Sequence, residues 1–222
     1  MNVGLFGITG TANTFTGDIN INGGGTYSVG TPQNSGIISG AISLVKDGAA
    51  TTLTLGGINT YTGTTTVSGG TLALGSTGSI VGLSEIIVEA DGTFDVLALA
   101  GSFELASGQT LGGSGLILGD FDFNAASVFE INLGSPISVS VGDVTFGVGF
   151  GIANLTGINW DRVALDTPFT LISTDQTFGP GDIRNFGLAN AAAVGSGRFA
   201  YFQDGSLSMV VVPEPSTYAR LG

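Results

Sequence analysis

Short alternations of apolar and polar residues run along most of the chain, and glycine-rich stretches separate them. Phe121–Asn124 and Val128–Leu133 alternate with the period of two that places apolar side chains on one face of a β-strand. Thr64–Ser68 is rich in β-branched residues, which favour strands, and glycine suits corners that need a positive φ. Only Leu188–Val194 looks helical, and it is too short to stand alone. The pattern therefore predicts an all-β chain of short strands joined by tight turns.

A segment near the start of the chain repeats 46 residues later. Asn13–Gly17 reads NTFTG and Asn59–Gly63 reads NTYTG, and the pair Gly23–Gly24 recurs as Gly69–Gly70. Repetition at such a distance indicates a stacked architecture, in which each unit contacts its neighbours. The residues that the repeat singles out are Asn13, Gly17, Asn59, Gly63, Gly69 and Gly70.

Glycine spacing predicts the size of one structural unit. Gly70, Gly92 and Gly108 are 22 and 16 residues apart, which is near the length of one solenoid turn. We expect solenoid repeats over residues 1–134. The sequence pattern of residues 135–212 differs from that of the preceding repeats and includes a predicted hairpin. These residues should form a β-rich continuation of the solenoid or a cap that covers its edge. Residues 213–222 form a tail.

Charge and composition exclude several classes of function. The net charge is −12, from 17 acidic and five basic residues, and the scattered bases offer no groove for a phosphate backbone. Nucleic acid is therefore not an expected partner. Cysteine and histidine are both missing from the sequence, which removes the main zinc ligands and the Cys–His and Ser–His–Asp forms of catalysis. No cofactor is expected. The sequence contains no run of 18 apolar residues, so no membrane-spanning helix is predicted.

One acidic stretch has the spacing of a calcium loop. Residues 120–124 read DFDFN, which matches the opening of such a loop. Ala125 stands where the loop needs glycine, and Ile131 stands where it needs glutamate. A strand with polar outer residues explains this stretch better, so no metal site is predicted.

Two further features leave an alternative open. Paired carboxylates are the catalytic groups of many glycosidases, and the close pairs here are Glu85 with Glu89 and Asp91 with Asp95. Among 17 acids such pairs arise by chance, so no catalytic residue is assigned. Aromatic residues also recur at strand positions. They could form a platform that stacks against sugars, but a stacked internal core is the favoured interpretation. They are Phe15, Tyr61, Phe94 and Phe103.

Two stretches resemble known families. Gly40–Gly48 with Leu53–Leu72 is similar to the autotransporter-associated beta strand repeat, and Ile8–Gly24 is a weaker copy. This resemblance implies a right-handed parallel β-helix outside the cell. Val212–Thr217 resembles the start of a PEP-CTERM sorting signal, which implies export in a Gram-negative bacterium. The residues that carry the second resemblance are Pro213, Glu214 and Pro215.

These observations predict a right-handed parallel β-helix, or β-solenoid, with a C-terminal β-rich cap. The expected function is a secreted, non-catalytic structural role at the cell surface or in an extracellular matrix. The expected partner is the chain itself, in a homopolymer or in adhesion, with extracellular polysaccharide as a further candidate. Two alternatives are a carbohydrate-active β-helix enzyme and a glycan-binding module.

Overall fold

A computed structural model of the chain describes residues 37–82, 84–174, 183–203 and 208–214, together with the backbone of four strands between residues 7 and 29. These residues form short β-strands and three 3-10 helices, without an α-helix. The all-β prediction is confirmed. The 3-10 helices are Ile152–Asn154, Trp160–Arg162 and Leu188–Asn190.

Most strands stack in parallel around three faces. The first sheet contains β1 (Gly7–Ile8), β4 (Thr26–Val29), β7 (Thr52–Leu55), β10 (Gly70–Leu74), β13 (Gly92–Asp95), β16 (Leu116–Leu118), β19 (Ile137–Ser140) and β23 (Ile172–Ser173). The second sheet contains β3 (Ile19–Ile21), β6 (Leu44–Lys46), β9 (Thr65–Val67), β12 (Glu85–Val88), β15 (Thr110–Gly113), β18 (Val128–Glu130) and β21 (Leu155–Thr156).

The third face consists of two separate parallel sheets. One contains β2 (Asn13–Thr14), β5 (Ile38–Gly40), β8 (Ile58–Tyr61) and β11 (Ser79–Ile80), and the other contains β14 (Phe103–Leu105), β17 (Phe121–Phe123) and β20 (Val144–Phe146). The chain visits the first, third and second faces in turn and then begins again. This order, with parallel pairing between successive turns, is a parallel β-solenoid and confirms the predicted architecture.

Glycine pairing follows part of the predicted spacing. Gly70 lies directly opposite Gly92 in the first sheet, as their 22-residue separation predicts. The next position in this register is Gly115, because Thr93 pairs with Leu116 one residue further on. Gly108 precedes β15 on another face, so its inclusion in the series was wrong.

A single hydrophobic core fills the solenoid. Strand residues alternate between buried and partly exposed positions, as in β7, where Leu53 and Leu55 are buried. Aromatic rings dominate the later turns: Phe103 packs edge-on against Phe94 at 5.2 Å, and Phe123 stacks on Phe146 at 4.8 Å. Ring pairs at these separations are favourable beyond the area they bury.

An antiparallel sheet follows the last parallel turns. It contains β22 (Phe169–Thr170), β26 (Ser208–Pro213), β25 (Arg198–Gln203) and β24 (Ala192–Gly195), in that order across the sheet. Arg198 ties this sheet to the preceding segment by donating to the carbonyls of Trp160 and Val163, at 2.9 and 2.7 Å. Phe202 and Val211 belong to the same core as the solenoid strands, so the sheet packs against that core, and we call this sheet the cap.

The parallel ladders continue beyond residue 134, where the sequence suggested a boundary. β19 pairs with β16 and also with β23, so the first sheet extends to Ser173. Residues 135–212 thus contain both a continuation of the solenoid and an antiparallel cap. Leu188–Val194, the one segment with a helical look, forms a 3-10 turn followed by the start of β24.

Candidate functional site

Asn59 links three successive turns of the third face. It is fully buried, and its Oδ1 atom accepts a hydrogen bond of 2.8 Å from the backbone N–H of Ile38 on the preceding turn. Its Nδ2 group donates to the carbonyl of Gly57 at 2.9 Å and to that of Ser79, on the following turn, at 3.1 Å. The amide thus supplies a hydrogen-bond partner to the buried N–H of Ile38 and ties that turn to the next one. Asn13 occupies the same column in β2.

Gly63 lies where the third face turns towards the second. Its backbone N–H donates to the carbonyl of Ile42 at 2.9 Å, and an added Cβ would collide with that same carbonyl oxygen. The Oγ atom of Ser43 lies 2.6 Å from the same Cβ position. This close approach of two backbones requires glycine. Gly17, its counterpart in the first copy, lies outside the described residues.

Lys46 points into the solenoid at the end of β6. It aligns with Val67 of β9, so it occupies a core position, and its side chain is fully buried. Its ammonium group donates to the carbonyls of Asp47 and Gly69, both at 2.8 Å, and to Thr51 Oγ1 at 2.6 Å. A longer bond of 3.3 Å reaches the Gly48 carbonyl. The bonds join two successive turns at one corner, which we call the lysine corner.

Burial sets the acid–base behaviour of the lysine corner. Loss of solvent lowers the pKa of Lys46 below the usual lysine value, and the negative charge of Asp47 acts in the opposite direction.

The buried phenol of Tyr61 shares a hydrogen bond of 2.5 Å with Thr65. Burial raises the pKa of Tyr61, and the bond to Thr65 partly offsets this.

Gly69 and Gly70 complete the lysine corner. Gly69 supplies a carbonyl to Lys46, and Gly70 adopts a φ of +67°, which favours glycine. A Cβ on Gly70 would stand 2.5 Å from the carbonyl oxygen of Thr51 and 2.7 Å from Lys46 Nζ. The second glycine of the pair is therefore required both by its backbone conformation and by the space that the lysine occupies.

A comparison with protein families identifies the stretch of sequence that contains most of these residues. Residues 44–74 match the passenger-associated-transport-repeat. The match contains Lys46, Asn59, Gly63, Gly69 and Gly70, and it confirms the resemblance to an autotransporter-associated strand repeat. No curated protein and no solved structure gives a significant match to the chain.

The passenger-associated-transport-repeat indicates a secreted or surface β-helix protein of Gram-negative bacteria. In this chain the repeat runs from β6 to β10, about one and a half turns. Its polar side chains bond to backbone groups of adjacent turns, as Lys46 and Asn59 show. Within the described part of the chain, no helix has the length and apolar character needed to cross a membrane.

In each close acidic pair, only one member lies on a strand. Glu85 and Glu89 are four positions apart in β12 and the residue after it, and Asp91 and Asp95 have the same separation around β13. Four residues of strand span about 13 Å, whereas catalytic carboxyl pairs stand about 5 to 9.5 Å apart. An extended separation of this size does not favour the carboxyl geometry of a glycosidase in either pair.

The calcium-like stretch is a strand, as expected. Phe121 and Phe123 of β17 are buried, and Asp122 faces outwards. The carboxylate of Asp122 accepts hydrogen bonds from Ser102 and Thr145 on the neighbouring turns, while the amide of Asn124 donates to Glu104 at 3.0 Å. The described residues contain no cluster of three or more metal-ligating side chains.

The recurring aromatic residues are part of the core. Tyr61 and Phe94 are fully buried and Phe103 is 6% exposed, so none of the three forms an external platform. Their place in the core agrees with the preferred interpretation of the sequence. Phe15 lies outside the described residues.

Two of the residues of the sorting-signal resemblance fall at the end of the cap. Pro213 ends β26, which pairs with β22 on one side and β25 on the other, and Glu214 follows it, exposed to solvent. Pro215 lies outside the described residues. The sorting signal therefore stays a prediction.

Sequence reasoning did not identify Lys46, although the signal was present. In β6 the alternation Leu44, Val45, Lys46 places the lysine on the same side as the buried leucine. It is also the one lysine of the sequence. A charged residue at an inward strand position predicts a buried, bonded ammonium group.

Proposed function

We propose that this protein is a non-catalytic structural component of the cell surface or extracellular matrix, acting in adhesion or through self-association. One observation carries the proposal: the lysine and the buried asparagine of the repeat are committed to the fold. Asn59 and Lys46 are fully buried and bond to backbone groups of adjacent turns. Such side chains stabilise a rod and are not accessible to a substrate.

The terminal strands of the described sheets support self-association. Among the described strands, β1, β2 and β3 stand at one end of their sheets, and terminal strands present backbone groups that pair readily with another chain. The antiparallel cap packs on the core of the last turns. We therefore propose that contacts between copies involve the first turns, and that the capped end does not stack directly on another solenoid.

Electron microscopy and sedimentation velocity of the purified protein, over a range of concentrations, test self-association. We expect oligomers or filaments that grow with concentration, and monodisperse monomers at high concentration would contradict this part of the proposal. A hydrolysis screen on glycans tests the non-catalytic role. Turnover that disappears when one acidic residue is changed to its amide would establish the enzyme alternative instead.

A further inference from the structure

The outer side of the first sheet carries two straight rows of side chains. Residues that face outwards alternate with buried ones in each strand, and parallel pairing aligns them from turn to turn. We call this surface the hydroxyl face. One row contains Thr52, Thr71, Thr93, Leu116 and Ser138, and the other contains Thr54, Ala73, Asp95, Leu118 and Ser140.

The hydroxyl groups of this face are available to a ligand. Within the described part of the chain, no hydrogen bond joins the side-chain hydroxyls of Thr52, Thr54, Thr71 or Thr93 to another group. The third face differs, since Thr145 and Ser102 there bond to Asp122. Threonine is also stiff at χ1, so a row of threonines presents hydroxyl and methyl groups with little freedom to lose on binding.

Charge is nearly excluded from the hydroxyl face. The chain carries a net charge of −12, yet Asp95 is the one charged residue among the ten that define this face. Its carboxylate accepts a hydrogen bond of 3.0 Å from the backbone N–H of Leu97 at the corner. Acidic residues face outwards elsewhere, such as Glu104 and Asp122 on the third face and Glu130 on the second. A polyanion is repelled by this molecule, and a polycation is drawn to the other faces.

The size of the face argues against a second copy of the chain as its occupant. The five strands that define the face, from β7 to β19, at about 4.8 Å spacing and with about 10 Å of strand length, give a footprint of about 240 Å². A stable protein interface buries about 800 Å² on each partner. A thin ligand that repeats along the stacking axis uses such a narrow strip better than a globular surface does.

We propose that the hydroxyl face binds an uncharged, extended polysaccharide, with its chain parallel to the solenoid axis. One turn advances about 4.8 Å, which is close to the length of a single pyranose ring, so each rung meets one sugar. The threonine hydroxyls exchange hydrogen bonds with sugar hydroxyls, and their methyl groups and Leu116 contact the apolar faces of the rings. The inference rests on the proposed adhesive role and names its ligand class.

Affinity electrophoresis with hydroxyethyl cellulose and dextran, together with pull-down on cellulose and chitin, tests the proposal. The variant Thr52→Val/Thr71→Val/Thr93→Val removes three hydroxyls and keeps β-branched strand residues. We expect at least a tenfold weaker interaction. The control Thr66→Val removes an outward hydroxyl from β9 on the second face and should bind like the unchanged protein.

Several outcomes would overturn the inference. They are binding that the triple variant retains, binding to acidic polysaccharides only, and no binding to any uncharged polysaccharide. Loss of self-association in the triple variant would instead assign the face to a second copy of the chain. Circular dichroism confirms that each variant is folded. Failure of the proposed structural role appears separately, as glycan hydrolysis by the unchanged protein.

Discussion

Replacement of Lys46 by methionine tests whether the buried ammonium group stabilises the repeat. Methionine matches the aliphatic stem of the lysine side chain and removes the hydrogen bonds to Asp47, Gly48, Thr51 and Gly69. Two large effects then oppose each other. Bonds to a charged group contribute about 1.5 to 3 kcal/mol each, while removing a buried charge recovers a desolvation cost of several kcal/mol.

The groups that remain decide the sign of the change. Thr51 Oγ1 still donates to the Gly48 carbonyl at 2.6 Å, and the Thr51 N–H approaches the same oxygen at 3.3 Å. The Gly69 carbonyl loses the bond that Lys46 supplies and stays buried between two turns. An unsatisfied buried acceptor costs about 1 to 3 kcal/mol. We therefore expect Lys46→Met to destabilise the protein by about 2 kcal/mol.

Urea unfolding followed by far-ultraviolet circular dichroism measures this change through the midpoint at constant slope. Hydrogen exchange of residues 44–74 adds a local measurement of stability. Tryptophan fluorescence does not supply one, because Trp160 lies in a 3-10 helix outside the repeat. The control Val45→Met alters the adjacent, outward position of β6. Equal or greater stability of Lys46→Met would refute the reasoning, because desolvation would then outweigh the lost bonds.

Three further predictions concern backbone strain and pH. Gly70→Ala should lower the free energy of unfolding by more than about 3 kcal/mol, because φ is +67° and the corner has no room for a Cβ. The control Gly108→Ala, with φ of +78° and no described atom within 4 Å, should lower it by about 1 kcal/mol. Urea unfolding measures both changes. Val141→Asn should raise the melting temperature, since a β-branched residue at φ 59° is strained and asparagine is not; Val148→Asn is the exposed control. The folded pKa of Lys46 lies below the unfolded value of 10.5, so the folded state loses its proton first. The free energy of unfolding should rise as pH increases towards 10.5, and pH-dependent urea midpoints of Lys46→Met should lack this rise.

The fold was largely predictable because its signals are local. Alternation placed Phe121, Phe123 and Phe129 on one face of their strands, and the structure buries all three. The 22-residue spacing of Gly70 and Gly92 corresponds to a direct pair between turns. A solenoid repeats the same contacts between neighbouring turns, so a pattern visible within 50 residues describes much of the molecule.

Three features depend on contacts that local patterns do not reveal. The third face is divided into two sheets because β11 and β14 do not pair. Before β14 the backbone N–H of Leu97 donates a hydrogen bond to the carboxylate of Asp95. The cap contributes Phe202 and Val211 to a core formed by residues far earlier in the sequence. The hydroxyl face appears only when register places Thr52, Thr71 and Thr93 in one row, since their spacing in sequence is irregular.

The column of Asn13 and Asn59 explains why the sequence repeats after two turns rather than one. Ile38 lies between them in register, and Ile80 follows Asn59. Because Asn59 accepts from the turn before it and donates to the turn after it, a single asparagine serves both neighbours. The intervening turns can then fill the column with isoleucine, which adds to the core. Alternation between amide and aliphatic side chains along this column therefore combines backbone hydrogen bonding with the burial of apolar surface.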